Sequence, residues 1–287
     1  NQTDADEEFH GTRPCSGVDR KRRRYAAFRA FRKLPAADRR RLGALYLGPS
    51  FDLDTHRNSV AVVALALAEP FTLEPGRDAE LPAWRGSAAL IPPGRWHRLT
   101  ATGPMAFLYL DPNDRGWRTL AARCAQATAD LVTGLPNAAQ LPALLRALRA
   151  EPTERIWSDL TEALGLPAPE PDPRLRATLA ALHADPGGAH PVDAAAAAAG
   201  YSLTAFQRRF TSSAGLPWRR YRLWLRIRHA VRLASSGASL TDAAHAAGFA
   251  SSAHFSSSFK AMFGLPPAQL IGAGVRWQVL TAAHQAG

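Results

Sequence analysis

Residues 191–271 contain the same pattern twice, and this repeat constrains the fold more than any other feature of the sequence. The pair Gly200-Tyr201 recurs as Gly248-Phe249, 48 positions later, and five other residues recur after 49 positions, so one inserted residue aligns the copies. The five are Phe206, Phe210, Gly215, Leu216 and Pro217 in the first copy and Phe255, Phe259, Gly264, Leu265 and Pro266 in the second. A repeat of this length indicates one supersecondary unit used twice.

Each copy predicts two short helices joined by a tight turn. An alanine-rich helix ends at Gly200 or Gly248, since glycine adopts the left-handed conformation that ends a helix. Serine and threonine residues that can cap a second helix follow, and they place that helix at 202–214 or 251–263. Its two phenylalanines are four residues apart and share one buried face, which leaves the opposite face polar. This arrangement is a helix-turn-helix unit, whose second helix enters the major groove of DNA.

The segment between the copies predicts one longer helix. It begins with Pro217 and ends before Gly237, the usual positions of these two residues around a helix. Residues at helical spacing along it are Tyr221, Trp224, Leu225, Arg228 and Val231. About 19 residues at about 1.5 Å each give a rod of roughly 28 Å. This length is close to the ~34 Å between successive major-groove faces, so the rod could hold two DNA-contacting helices on one side of a duplex.

The two glycine-aromatic turns, the paired phenylalanines, the GLP endings and the arginine-rich connecting helix resemble the DNA-binding domain of the AraC/XylS family of bacterial transcription regulators. The resemblance covers about 172–271, and the motif occurs twice at the family's spacing. It implies double-stranded DNA as a partner, RNA polymerase as a further partner of an activator, and a homodimer as one assembly. It also implies a small organic effector, because regulators of this family often have a cupin-like sensing domain ahead of the DNA-binding domain.

The outward face of each second helix supplies the candidate DNA contacts. They are Thr204, Gln207, Arg208 and Thr211 in the first copy and Ser252, Ala253, Ser256, Ser257 and Lys260 in the second. By resemblance, Thr204, Gln207 and Arg208 occupy the positions from which the family's first helix reaches base edges. Glutamine pairs well with adenine and arginine with guanine. The second copy has short side chains where the family commonly has longer polar or basic ones, so we expect the first copy to contribute more base recognition.

Positive charge is concentrated in the same part of the chain. Residues 171–287 have a net charge of +8 (12 basic, 4 acidic), whereas residues 42–170 have −3 (11 basic, 14 acidic). A basic domain attracts nucleic-acid phosphates, largely without regard to base sequence and with strong salt dependence. Ordinary solubility does not explain this uneven distribution.

Residues 42–114 have a different pattern, with short apolar runs separated by glycine, proline and aspartate, which is typical of a small antiparallel β-barrel or sandwich. The stretch Gly86 to His97 resembles the second motif of the cupin barrels, and Pro92 and Gly94 are at the motif's positions. Ala101 replaces the asparagine usually found further on, so the motif is only partly kept. The sequence therefore predicts a cupin-like domain ahead of the repeats.

The first cupin motif is incomplete, because Asp54 and His56 stand where it has two histidines and the following glutamate is absent. Together with His97 they could still form a three-ligand metal site, as in a cupin metalloenzyme with an appended helical domain, which is the alternative function. The incomplete ligand set favours a pocket without metal, so we assign no catalytic residue, no metal and no cofactor. The predicted effector pocket is a barrel mouth lined by His56, Trp84, Trp96 and His97.

The patterns divide the chain into six segments. Residues 1–41 form a basic arm with a net charge of +6, expected to be disordered and either solvated or in contact with phosphates. The cupin-like domain, 42–114, precedes a helical segment, 115–166, with a leucine stripe suited either to packing under the barrel or to dimerisation. A stiff proline-rich linker, 167–173, leads to the tandem helix-turn-helix domain, 174–272, and to a tail, 273–287.

Composition excludes several classes of protein. Cys15 and Cys124 are too few for a disulfide framework and lack metal-ligand spacing, which fits a reducing, cytoplasmic location. The longest apolar run, Val60 to Ala68, is too short to cross a membrane, and the polar, acidic start does not look like a signal peptide. We therefore expect an α+β protein that acts as a sequence-specific, effector-controlled transcription regulator and not as an enzyme.

Overall fold

The first part of the chain is built from short strands. The computed structural model describes residues 42–76, 82–112, 116–128, 131–150, 154–166, 172–272 and 276–279. The predicted arm, 1–41, and most of the predicted linker lie outside the described residues. The strands are β1 (Leu42–Gly48), β2 (His56–Arg57), β3 (Val62–Ala66), β4 (Phe71–Pro75), β5 (Trp84–Gly86), β6 (Ala88–Ile91), β7 (Trp96–Thr100), β8 (Met105–Leu110), β9 (Gln126–Ala127), β10 (Val132–Thr133) and β11 (Arg276–Val279).

These strands form two antiparallel sheets. The larger has the order β11-β1-β8-β3-β6-β10-β9, and the smaller has the order β2-β7-β4-β5. β3 is apolar throughout because both of its faces are covered: Val62 and Ala64 belong to one buried cluster, and Val63 and Leu65 to the other. The prediction of an antiparallel N-terminal β domain is confirmed, although the described strands pair as two sheets and not as one closed ring.

Within the described residues, three helices accompany the sheets: α1 (Gly116–Ala122), α2 (Leu141–Ala150) and α3 (Glu154–Ala163). Leu141, Leu145 and Leu148 of α2 are buried in the same cluster as Val63 and Leu65 of β3. Their spacing of three and four residues places them on one helix face, and that face meets the larger sheet. This part of the predicted leucine stripe is therefore used for core packing.

The described residues from 172 to 272 are mainly helical. After a short 3₁₀ turn (Pro173–Leu175), the helices are α4 (Arg176–Ala184), α5 (Val192–Ala198), α6 (Leu203–Ala214), α7 (Trp218–Ser235), α8 (Leu240–Ala246), α9 (Ser252–Phe263) and α10 (Pro267–Gly272). Helices α5–α6 and α8–α9 are the two predicted helix-turn-helix units, and α7 joins them. The predicted α+β class, with antiparallel strands first and a helical tandem repeat second, is confirmed. None of the described helices combines the length and the apolar character needed to cross a membrane.

Helix α7 is the centre of the helical part. Its 18 residues would extend about 27 Å at the usual rise. Trp218 at its start packs edge-on against Phe206 and Phe210 of α6, with ring centroids 5.4 and 5.0 Å apart. Further along, Tyr221 and Trp224 are fully buried. The aromatic residues of the repeat thus fix α6 to the connecting helix.

The core of the helical part continues into the β domain. Tyr109, at the end of β8, packs against Trp224 of α7 and Phe263 of α9, with centroid distances of 6.0 and 5.2 Å. Next to this contact, Nη1 of Arg228 lies 3.2 Å from Oδ2 of Asp111, and both side chains are almost fully buried, with exposures of 4% and 6%. Burial lowers the pKa of Arg228, and the neighbouring Asp111 counteracts this effect. The two parts therefore share one apolar core that contains an ion pair.

Strand β11 returns the chain to the β domain after the last helix. It pairs antiparallel with β1, with Ala44 opposite Val279 and Leu47 opposite Arg276. These residues fall in the segment 273–287, which composition alone assigned to a tail. An edge strand offers unpaired N–H and C=O groups, and β11 satisfies those on the outer side of β1.

We predict that Asp111→Ala lowers the free energy of unfolding by about 3–5 kcal/mol, because it leaves the Arg228 guanidinium buried without its carboxylate. The double variant Asp111→Leu with Arg228→Met, which removes both charges, should recover most of this loss. The measurement is urea unfolding of the full chain followed by tryptophan fluorescence. Equal losses for the single and double variants would contradict a role for the ion pair as such.

Candidate nucleic-acid interface

The first helix-turn-helix unit is shaped by a glycine and a serine between its helices. Gly200 has a φ of 69°, in the left-handed region, and the N–H of Tyr201 donates to the carbonyl of Ala196 at 3.0 Å. Oγ of Ser202 then accepts a hydrogen bond from the N–H of Ala205 at 3.4 Å, which caps α6. These local contacts set the direction of the recognition helix relative to α5.

Helix α6 presents the predicted polar face to solvent. Phe206 and Phe210 are fully buried, so the other side of the helix is left outward. All four predicted contacts on that side are exposed: Thr204, Gln207, Arg208 and Thr211. The structure thus brings these residues together on one accessible helix face, with an arginine and a glutamine able to reach the edge of a base.

The second unit repeats this construction. Oγ of Ser251 caps α9 by accepting from the N–H of His254 at 3.1 Å, and Gly248 has a φ of 77°. Of the predicted contacts, three are exposed and two are half-buried; in that order they are Ala253, Ser257 and Lys260, then Ser252 and Ser256. The hydroxyl of Ser257 donates back to the carbonyl of His254 at 3.1 Å. This face is therefore less prominent than that of α6.

Lys260 makes a contact that the sequence did not indicate. Its Nζ lies 2.8 Å from Oδ2 of Asp54, in the loop before β2. The hydrogen bond and the charge of Lys260 lower the pKa of the Asp54 carboxyl. Both side chains are largely exposed, so the pair contributes little to stability. The pair matters for position, because it holds a predicted DNA-contacting residue against the β domain.

The end of α9 also touches the β domain through its backbone. The N–H of Asp54 donates to the carbonyl of Gly264 at 3.0 Å. Gly264 has a φ of 78°, and a Cβ atom there would lie 2.7 Å from both the Asp54 carbonyl oxygen and Nδ1 of His56. Glycine is therefore required at this position both for the helix ending and for the close approach of the two parts.

Comparison with known families is consistent with this geometry. Residues 195–272 match the profile of a family described as "Helix-turn-helix domain". The C-terminal region is an AraC-type helix-turn-helix domain. The resemblance found in the repeats is confirmed for this part of the chain.

Solved structures match over most of the chain. ToxT from Vibrio cholerae has a TM-score of 0.51 at 14% identity, with 81% of this chain and 98% of ToxT covered. ToxT from Vibrio cholerae O395 bound to (E)-4-(8-methylnaphthalen-1-yl)but-3-enoic acid has a TM-score of 0.52 at 14% identity, with coverages of 82% and 99%. No curated protein sequence gives a significant match. At this identity the likeness shows a shared fold, in the β domain as well as in the helices.

The histidines predicted for the effector pocket lie inside the β domain. His56 and His97 are 4% and 3% exposed, face each other across β2 and β7, and have ring centroids 4.3 Å apart. Nδ1 of His97 lies 2.9 Å from the carbonyl of Arg95, and the amide of Asn58 is 3.4 Å from its Nε2. These neighbours fit a proton on Nδ1 and an acceptor at Nε2. Burial, and next the charge of His56, lowers the pKa of His97 to about 3, so its ring is neutral at pH 7.

The two predicted tryptophans lie on opposite faces of the smaller sheet, and only Trp84 shares a face with the histidines. Trp96 and His97 are consecutive in β7, so their side chains point to opposite faces of the sheet. Trp96 lies under the guanidinium of Arg57, 4.9 Å from it, whereas Trp84 packs edge-on against Phe71 at 5.6 Å. Trp84 borders the buried cluster between the sheets, and it is the tryptophan that an interior ligand could reach.

The carboxylate of Asp54 does not join the two histidines as a third metal ligand. The carboxylate of Asp54 pairs with Lys260, and Nδ1 of His56 donates to the Asp54 backbone carbonyl at 2.8 Å. Within the described residues, no three histidine, cysteine, aspartate or glutamate side chains are close enough together to hold a metal ion.

A cavity that the sequence did not predict lies where the β domain meets the helices. It measures about 20 Å³, about the space of one water molecule. The β domain contributes Tyr46, Phe51, Leu53, Phe107 and Tyr109, and the helical part contributes Phe263, Leu265 and Leu270. Leu265 belongs to the GLP ending of the second copy, but nothing in the repeat indicated which surface it would meet.

We predict that Arg208→Ala weakens binding to a selected DNA site by ~1–3 kcal/mol and relaxes the base preference at one position. Ser257→Ala, in the second recognition helix, should cost clearly less, since its hydroxyl already bonds within the helix. Fluorescence anisotropy titrations on one duplex, selected from a random pool by the full chain, measure both changes. Equal losses would reverse this ranking of the two helices.

Proposed function

We propose that the chain is a sequence-specific transcription regulator in which a small organic effector changes the position of the second recognition helix. The observation that carries this proposal is the contact of α9 with the loop before β2. The same helix that is expected to reach DNA is bonded at its far end to the predicted sensing domain. A conformational change in that domain could therefore move α9 directly, and with it the DNA-binding surface.

DNA binding itself combines two kinds of contact. The arginines of 171–287 would neutralise phosphates, which supplies affinity that falls as salt rises. The exposed side chains of α6 would supply most of the base recognition. Lys260 would contribute more to the DNA contacts after it leaves Asp54, because the carboxylate repels a phosphate that approaches the same ammonium group.

The effector is proposed to be a partly apolar molecule, bound within the β domain or at its junction with the helices. The aromatic lining of the junction cavity supports this class of ligand. The ligand named for one ToxT structure, which combines a naphthalene ring with a carboxylic acid, is of the same kind. A cavity of about 20 Å³ is too small for such a ligand, so binding would require the two parts to separate locally.

Two anchor sets are proposed for the effector. One is the predicted set without Trp96: Trp84 and the His56–His97 pair lie on the inner face of the smaller sheet, whereas Trp96 lies on the opposite face. The other is the junction cavity, with Phe107 and Phe263 on opposite walls. His56 connects the two sets, since its ring packs on His97 and lies against Gly264. An effector can shift the position of α9 only by its difference in affinity between the two arrangements.

We predict that Asp54→Asn raises the affinity of the full chain for duplex DNA by up to about fivefold, because it frees Lys260 from an exposed ion pair. Asp52→Asn is the matched control: it removes the same charge from the same loop, but Asp52 pairs with Arg98 at 3.2 Å. Anisotropy titrations at two salt concentrations measure both variants. If the two raise affinity equally, the effect is one of net charge, and the contact with α9 does not restrain DNA binding.

A second prediction addresses the effector with a defined probe, (E)-4-(8-methylnaphthalen-1-yl)but-3-enoic acid. It should change the DNA affinity of the full chain by about 5–150-fold, the usual range of coupling between two sites. Trp84→Ala should remove the response if the predicted mouth binds the probe, and Phe107→Ala should remove it if the junction cavity does. Trp117→Ala, in the cluster on the other side of the larger sheet, is the control. An unchanged DNA affinity at saturating probe would rule out this ligand class.

A further inference from the structure

A second cavity lies within the helical part, between α4 and α7. It has a volume of about 250 Å³, a size that admits a small metabolite. Helix α4 contributes His183, and α7 contributes Leu225, Arg228, His229 and Arg232. The α7 residues are spaced by three and four, so they form one face of the helix directed at the cavity. Four of these five side chains carry nitrogen donors.

Arg232 is the central group of this surface. It is half-buried, burial lowers its pKa, and no carboxylate of the described residues lies within ion-pair distance of it. Nη2 of Arg232 donates to Nδ1 of His229 at 3.1 Å, which leaves Nε2 of that histidine as its N–H donor. Burial and the charge of Arg232 both lower the pKa of His229, whereas Asp185 raises it. An arginine desolvated beside a neutral histidine is an arrangement that a bound anion stabilises.

One residue of the buried ion pair also lines this cavity. Arg228 lines it while its Nη1 bonds to Asp111 of the β domain at 3.2 Å. Arg228 is too deeply buried to reach the backbone of a DNA duplex, and the surface around it is concave. The geometry therefore favours a small anion over a nucleic-acid phosphate at this position.

We infer that the cavity between α4 and α7 is a binding site for a small anionic metabolite, with a carboxylate or phosphate group held by Arg232 and His229. The site is separate from the recognition helices and from the junction cavity. It goes beyond the proposed function, because it assigns a second ligand to the DNA-binding domain itself. Through Arg228, a ligand there would also compete with Asp111 for the same guanidinium and so act on the junction of the two parts.

The test is isothermal titration calorimetry of the full chain with citrate and, separately, with inorganic phosphate, at constant ionic strength and against a chloride blank. We expect saturable binding of at least one probe, and the stronger one identifies carboxylate or phosphate as the preferred group. Arg232→Gln should weaken it roughly tenfold or more, because a hydrogen bond to a charged group is lost. Arg232→Lys should keep part of the affinity, since lysine keeps the positive charge but cannot form the bidentate hydrogen bonds of a guanidinium.

Arg220→Gln is the matched control, because Arg220 is an exposed arginine of the same helix that does not line the cavity. It should leave anion binding unchanged. Equal weakening by Arg220→Gln and Arg232→Gln, or no saturable binding of either probe, would overturn the inference. Duplex DNA titrations on the same preparations separate this result from the proposed function, which requires DNA binding whether or not the anion binds. Circular dichroism confirms that each variant is folded.

Discussion

The buried ion pair between Arg228 and Asp111 is the constraint on which the arrangement of the molecule depends. Isolated, either charge would be strongly unfavourable in the apolar core, so the two residues must meet whenever the protein is folded. Asp111 directly follows β8, and Arg228 lies near the middle of α7. Their contact therefore fixes where the connecting helix crosses the β domain. Because α7 holds both helix-turn-helix units, the position of the whole DNA-binding surface follows from this one pair.

Local structure in the helical part was predictable because its signals are local. Each recognition helix begins after a serine whose hydroxyl accepts a backbone N–H three residues later, and ends at a glycine with a positive φ. These are short-range requirements, and the sequence displays them at Ser202, Gly215, Ser251 and Gly264. As a result, the predicted spans 202–214 and 251–263 differ from α6 and α9 only by the capping residue. The buried phenylalanines are likewise explained by helical spacing alone.

Contacts between distant residues were not predictable in the same way. Asp111 and Arg228 are separated by 117 positions, and a single sequence carries no information that pairs them. Arg228 lies at helical spacing with the apolar residues of α7, and this spacing was a sign that its charge is buried. The spacing did not identify Asp111 as its partner. The Lys260–Asp54 contact has the same limitation. The proposed grouping of Trp96 with His97, in contrast, conflicted with a rule available from sequence, since neighbouring residues in a strand face opposite ways.

The position of β11 has a consequence for how far the DNA-binding helices can move. The chain leaves the larger sheet after β10, forms all the helices of the DNA-binding domain, and comes back to the same sheet beside β1. In topological terms the domain is an insertion between two strands of one sheet, held at both of its ends. A domain attached by one linker can swing through a wide arc, whereas a doubly attached one can pivot only about the line between its attachments. The DNA-binding helices can therefore move far from the β domain only if β11 first detaches from β1. While the four paired residues of β11 stay bonded to β1, they limit how far these helices can move.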